Sequence, residues 1–267
     1  MRKYIPGLKN HPTVAVVRLA GVIAAGGRLG GGSLNDETLG PILERAFRKG
    51  KPAAVALIIN SPGGSPVQSA LIGARIRRLA EETETKVYAF CEDVAASGGY
   101  WLAASADEIF VDASSIVGSI GVISASFGFH ELLERQGIER RVHTAGEDKS
   151  MLDPFRPERA EDVERLKALQ ATIHQNFIDH VKSRRGTRLA DQDLFTGEIW
   201  VGQQAVDLGL ADGVGHLVPT LKSRFGDKVK FTHHTAKRSL MQRFGIGSAT
   251  DLMGAVEDRS LWSRYGL

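Results

Sequence analysis

A serine flanked by residues too small to cover it, where a strand hands over to a helix, is a candidate nucleophile. Ser97 holds that place in the run Glu92-Asp93-Val94-Ala95-Ala96-Ser97-Gly98-Gly99-Tyr100. Lys86 to Cys91 (KVYAFC) predicts the strand, and Ser97 to Ser105 (SGGYWLAAS) predicts the start of a buried helix. At such a junction the hydroxyl is exposed, and nearby backbone N–H groups can face an oxyanion. A helix N-cap serine followed by glycines for tight packing gives the same local pattern. The motif alone leaves both readings open.

A serine hydroxyl needs a base before it attacks. The eight histidines are scattered over predicted helices, loops and the tail, and none sits in a small-residue loop beside a carboxylate. Lys149 is the alternative. It lies in Thr144-Ala145-Gly146-Glu147-Asp148-Lys149-Ser150, after a strand expected at Arg140–Thr144. From there a lysine can reach back over the sheet ends. It must shed its charge to act as a base, which apolar, water-free surroundings would bring about. A third segment, Asn60-Ser61-Pro62-Gly63-Gly64-Ser65, follows the most apolar strand candidate. Paired glycines let N–H groups converge on an anion or a developing oxyanion, although a plain turn before a Pro-initiated helix fits as well. It carries neither GxxxxGK[ST] nor GxGxxG, so phosphate binding is not indicated.

The elements that must position these residues alternate. Strands are expected at Thr13–Ala20, Ala53–Asn60, Lys86–Cys91, Glu108–Val111, Gly118–Ile123, Arg140–Thr144 and Lys228–Thr232. Helices are expected from Asn35 or Asp36 to the Gly50 stop, from Pro66 through Leu79, after Ser97, over Phe129–Gln136 and over Pro157–Arg185. In the last, Val163, Leu166, Leu169, Ile173, Phe177 and Val181 form one stripe. Leu194 to Asp212 holds a turn, a short strand and a helix, and Ala24 to Asn35 is a Gly-rich loop. This rhythm predicts an α/β domain with helices covering the sheets. A domain over residues 1–232 is followed by a C-terminal amphipathic arm, 233–267, suited to covering a subunit or touching a membrane surface.

Composition narrows the class. The chain has 267 residues, of which 42% are hydrophobic and 24% charged, as in a soluble globular protein. Net charge is +3, and the basic clusters at Arg75–Arg78 and Lys182–Arg185 fall on predicted helices, so no nucleic-acid partner is expected. The single cysteine, Cys91, permits no intrachain disulfide, which suits a reducing, cytoplasmic compartment. No stretch approaches the roughly 18 apolar residues of a membrane-spanning helix. The start, MRKYIPGLKNHP, is basic but lacks the apolar region of a leader. Neither an anchor nor an export signal is therefore expected, while peripheral membrane contact stays open.

Taken together and in this order, NSPGGS (60–65), EDVAASGGY (92–100), GSIGVI (118–123) and TAGEDKS (144–150) resemble the signal peptide peptidase A (protease IV) family. FTGEIWVGQQAVDLGLAD (195–212) resembles that family's C-terminal part, so the likeness spans residues 13 to 230. The resemblance implies the fold shared by Clp proteases and crotonases, with repeated ββα units in two roughly perpendicular sheets. It also implies a Ser–Lys dyad, a known variant of triad logic. Ser97 would be the nucleophile and Lys149 the base. The amides of Gly64 and of the Ser97–Gly98 turn (Gly98) would form the oxyanion hole, and Ser119 would orient the lysine. It implies cleavage of hydrophobic, signal-peptide-like peptides through an acyl-enzyme, in a homo-oligomeric ring, with no metal and no cofactor. Two other readings compete: a crotonase-type acyl-CoA enzyme using Glu92 and Asp93, and a catalytically inactive ring-forming scaffold.

Overall fold

The computed structural model describes residues 11–25, 33–146, 149–235 and 259–266. Its centre is three parallel strands: β1 (Thr13–Ala20), β2 (Ala54–Ser61) and β3 (Val87–Ala96), with β8 (Lys230–His234) outside β1. These strands read as near-continuous apolar runs because both faces are covered. Ala15, Val17 and Leu19 point into a large core with Leu57, Ile59, Ala89 and Cys91. Val14 and Val16 point the other way, with Ala56, Tyr88, Phe90 and Phe110. The first face is covered by α1 (Asp36–Arg48), α2 (Pro66–Glu82), α3 (Gly98–Ala104) and part of α5 (Ala160–Arg185). The second is closed by α7 (Leu217–Phe225), through Leu221.

The helix starts follow their local chemistry. Asn35 caps α1, its side chain accepting from the N–H of Thr38 at 2.9 Å. Ser65 caps α2 just before Pro66, where a missing N–H costs nothing. Arg75 on α2 forms a bidentate pair with Asp36 on α1, at 2.7 and 2.6 Å.

β3 forks the sheet. Its first half pairs with β4 (Glu108–Val111), which pairs with β7 (Gly213–Val214). Its second half, Val94–Ala96, pairs with β5 (Ile116–Gly118), which pairs antiparallel with β6 (Ile199–Val201). The fork arises at a register shift: Ile59 faces Cys91, but Ser61 faces Ala95. Asn60 alone spans Glu92, Asp93 and Val94. Its side chain donates to Asp93 at 2.6 Å and accepts from the N–H of Val94 at 3.2 Å. A bulge of this kind bends a strand and re-aims the residues after it. The strand expected at Lys86–Cys91 therefore continues to Ala96. The α/β class with covering helices agrees with expectation, and the eight described strands join in one open sheet that forks at β3.

Three expected elements differ. Gly118–Ile123 is a strand only to Gly118, because Ser119 takes φ 51° and leaves the ladder. Arg140–Thr144 is not a strand: Arg140 pairs with Asp153 and Arg141 with Glu139, and the segment pairs with no strand among the described residues. The long helix begins at Ala160 rather than Pro157, and its stripe is not all packed. Phe177 and Val181 are buried, but Leu169 is exposed. The helix α4 (His130–Arg135) and its flanks are exposed, held by a Phe129–Phe155 ring contact and Arg140 over Phe155. The expected C-terminal arm lies largely outside the described residues, of which 259–263 are helical. The middle of the expected Gly-rich loop, 26–32, also lies outside them. α6 (Gln203–Asp207) follows β6 as expected.

The C-terminal end of α5 is locked down. Arg185 is 2% exposed and reaches the carbonyl of Gly209 at 2.8 Å and Asp212 at 2.7 and 3.1 Å. Asp212 also accepts from the N–H of Ile109 in β4, and the hydroxyl of buried Tyr100 donates to Leu210. Burial pushes the Asp212 carboxyl up, but Arg185, the Ile109 N–H and Arg188 pull harder and hold it below its ordinary value. Arg185→Leu takes away the buried partner of that half-buried carboxylate, leaving it Arg188 and the Ile109 N–H, and is expected to cost up to about 3–5 kcal/mol in the urea-unfolding free energy. Because the folded carboxyl is depressed, its contribution is present above the ordinary carboxylate range and lost as pH falls through the folded value. The stability gap between wild type and variant should therefore narrow in acid; a constant gap from neutral pH into the acid range would count against this account.

Candidate active site

The site begins with a backbone conformation. Ser97 joins β3 to α3 at φ 51° and ψ −123°. Gly186 (φ 55°, ψ −130°) and Gly202 (φ 48°, ψ −113°) adopt the same geometry, and there the residue without a Cβ carries it at no steric cost. At position 97 a serine is held in it. Its N–H donates to Gly118 of β5 at 2.8 Å, and its carbonyl accepts from the N–H of Trp101 at 3.0 Å. The Ser97 side chain makes no capping hydrogen bond, so the N-cap reading loses its main support. A strained strand-to-helix turn that presents a hydroxyl is the geometry of a nucleophile elbow.

Two glycine-bearing turns cross at this point. A Cβ on Gly63 would lie 2.7 Å from the Cβ of Ser97 and 2.8 Å from the N of Gly98. A Cβ on Gly98 would strike the Ser69 hydroxyl, and one on Gly99 the carbonyl of Ser61. The loop 61–65 is pinned on its other side by Ile23, whose N–H donates to Gly63 and whose carbonyl accepts from Ser65. Those bonds use Gly63 and Ser65 and leave the N–H of Gly64 without an acceptor among the described residues. Gly98, as the first residue of α3, likewise has no intrahelical acceptor. Ser97, Gly64 and Gly98 line one narrow cleft, closed by Gly121, Val122, Ile173 and Phe177. Its free volume is about 20 Å³, the room of about one water molecule. Two unused N–H groups beside a hydroxyl can stabilise an oxyanion there.

Beyond Pro66, Trp101 and Ile173 the cleft opens into a groove of about 590 Å³ that also includes Val67, Ala70 and His180. Trp101 stacks on His180 with centroids 4.5 Å apart, and His180 Nε2 lies 3.0 Å from the Trp101 carbonyl. A carbonyl only accepts, so Nε2 carries the proton. Burial pushes this imidazole down to about 4, against the pull of the carbonyl.

Of the five residues expected at the site, the structure gathers Ser97, Gly64 and Gly98. Ser119 follows Gly118, the residue that accepts from the N–H of Ser97, and its own N–H donates to Glu198 at 2.7 Å. Lys149 is exposed, its N–H 3.4 Å from the Gly146 carbonyl, and no hydrogen bond joins it to Ser97 among the described residues. Glu92 pairs with Arg18, and Asp93 is engaged by Asn60. The sequence places His174 and His180 on a predicted helix with no small-residue loop around them. Both are satisfied by backbone carbonyls beside the cleft, and no local motif signals such long-range partners. No group of three or more histidine, cysteine, aspartate or glutamate side chains among the described residues could hold a metal ion. No described helix is long and apolar enough to cross a membrane.

Comparison with known proteins gives a consistent assignment. The family model of peptidase family S49 matches residues 80–224, a stretch that includes Ser97, Ser119 and Lys149. A putative protease of Synechocystis is 32% identical over 95% of this chain and 92% of its own. A putative signal peptide peptidase SppA of Enterococcus faecium is 32% identical over 63% of this chain and 49% of its own. A protein of Brucella melitensis named Na(+)/H(+) antiporter NhaA is 51% identical over 95% of this chain. This chain covers only 37% of that longer protein.

The strain at Ser97 is measurable. Removing the Cβ should release about 1–3 kcal/mol of backbone strain, against about 0.5–1 kcal/mol of added chain entropy in the unfolded state. Ser97→Gly is therefore expected to raise the unfolding free energy by about 1 kcal/mol, read as a higher urea midpoint. A midpoint equal to or below wild type would show that position 97 is not strained.

Proposed function

Because the chain belongs to peptidase family S49, we propose that it is a serine endopeptidase acting through Ser97 and Lys149. The observation that carries this reading is the strained, uncapped Ser97 beside the unused N–H groups of Gly64 and Gly98 in a one-water cleft. Ser97 Oγ attacks the peptide carbonyl as Lys149 Nζ takes its proton. The carbonyl oxygen, now negative, receives the N–H groups of Gly64 and Gly98. Lys149 returns the proton to the leaving amine, the C–N bond breaks and an ester to Ser97 remains. Water then adds to the ester, giving up a proton to Lys149, and Ser97 recovers its hydrogen as the acid product leaves. The Ser119 hydroxyl orients the lysine amine.

The apolar groove beyond Trp101 favours hydrophobic peptides. A homo-oligomeric ring is supported by the apolar side chains left uncovered around α4: Ile123 is 65% exposed, Phe127 80% and Ile138 55%. Isolated exposed apolar residues are ordinary, but a cluster on one projecting segment marks an interface. Covering it would also exclude water near Lys149. The acyl-CoA reading gains no support, since Glu92 and Asp93 are tied up with Arg18 and Asn60.

Fluorogenic hydrophobic peptides and a fluorophosphonate probe test the assignment. Wild type should hydrolyse the peptides and be labelled on Ser97. Ser97→Ala and Lys149→Ala, matched for folding and assembly, should each lose at least about 10²–10³ in kcat/KM. Hydrolysis surviving in Lys149→Ala would mean another base. No hydrolysis and no labelling by the assembled wild type would leave the inactive-scaffold reading.

A further inference from the structure

Helix α5 does more at the cleft than supply its apolar wall. Between Ile173 and Phe177, which both line the cleft, His174 turns its Nε2 to the carbonyl of Ile120 at 3.0 Å. Ile120 is fully buried. It lies between Ser119 and the two residues, Gly121 and Val122, that form the wall opposite Ser97.

That wall has few supports. Gly118 is held by Ser97 and by its pairing with β6, and the N–H of Ser119 donates to Glu198. The bond from Gly121 to Ser119 is internal to the segment. After Ile120, the chain makes no further hydrogen bond to the rest of the protein among the described residues until Phe129 donates to Pro154 at 2.6 Å. Beside the buried Ile120 side chain, His174 thus gives the last hydrogen bond among the described residues before the chain leaves the body of the molecule. Without it, residues 120–122 can swing about the Ser119–Glu198 bond. Both the Ser119 hydroxyl and the cleft wall would then shift relative to Ser97 Oγ.

We propose that His174 is a positioning residue for peptide hydrolysis: by donating its Nε2–H to the Ile120 carbonyl, it holds the Ser119–Val122 wall at working distance from Ser97. This rests on the peptidase reading of the cleft. The role differs from that of a base. The acceptor is a carbonyl, so Nε2 keeps its proton and has no lone pair to offer Ser97. A donor of similar reach serves equally well, so glutamine replaces histidine here and phenylalanine, of similar shape but without a donor, does not.

The test uses the full chain with His174→Gln, His174→Phe and His174→Ala, compared at matched unfolding midpoints and assembly state. Two readouts are taken: amide hydrogen exchange over residues 117–123, and kcat and KM on a fluorogenic peptide. His174→Ala and His174→Phe should speed exchange at Ser119 and Gly121 and lower kcat/KM by roughly 10- to 100-fold, as expected for misplacement of about 1 Å. His174→Gln should restore most of both. If His174→Ala fails to fold, the Gln and Phe pair carries the comparison. Wild-type exchange and kcat/KM in His174→Phe, or a Gln variant no better than Phe, would overturn the proposal in an active enzyme. If the wild type hydrolyses no peptide, the peptidase reading falls and the positioning role falls with it. The exchange data then still report separately whether the anchor exists.

Discussion

Everything at the site depends on two turns that pass closer than side chains allow. The loop after β2 and the turn after β3 meet where Gly63 and Gly99 each lack the Cβ that would collide with the other turn, and Gly98 lacks one that would strike Ser69 on α2. That approach sets three things at once. It holds Ser97 in a conformation that glycine takes elsewhere in this chain. It sets Gly64 and Gly98 on the lining of one cleft with Ser97. It also limits the space between them to about one water. Strain of this kind persists only where the surroundings over-determine it, and here they do: Ser97 is bonded through its N–H to β5 and through its carbonyl to α3.

The close approach has its own cause one layer down. β3 leaves β4 at the register shift where Asn60 spans three residues of its neighbour and fills the gap with two side-chain hydrogen bonds. The bend carries Ala95 and Ala96 over to β5, and Ser97 comes with them. Glu92 and Asp93 are the residues displaced outward by the bulge. Their pairing with Arg18 and Asn60 is the chemistry of a strand irregularity kept soluble and satisfied.

Much of this was legible in the sequence because it is local. Apolar runs of strand length gave β1 and β2, Ser65-Pro66 gave the start of α2, and a serine among small residues marked the turn at position 97. The illegible part depends on partners far along the chain. Nothing near Asn60 says that its amide will bridge a bulge in β3, so the strand was expected to stop at Cys91. The Arg140–Thr144 segment has strand-like spacing, yet its arginines find Asp153 and Glu139 instead of a sheet edge. The apolar stripe of α5 is regular along its whole length, but periodicity cannot say that only the half locked by Arg185 finds a core. His174 and His180 carry no motif; their meaning comes from carbonyls more than fifty residues away.

On the Ser97–Lys149 reading, the two halves of the dyad make opposite demands on folding. A strained serine needs rigid surroundings, and it sits in the part of the molecule where both sheet faces are covered. A lysine that must lose its charge needs surroundings without water, and burying a lone ammonium inside one chain costs several kcal/mol. The chain avoids that cost by leaving Lys149 exposed, on the projecting segment that also carries α4. The strained half is completed by folding; the desolvated half is left for a covering surface to complete. α5 links the two, its C-terminal end fastened by Arg185 and its middle holding the Ile120 carbonyl through His174. A cover that shifts the projecting segment would pull directly on the hydrogen bond by which His174 holds the cleft wall.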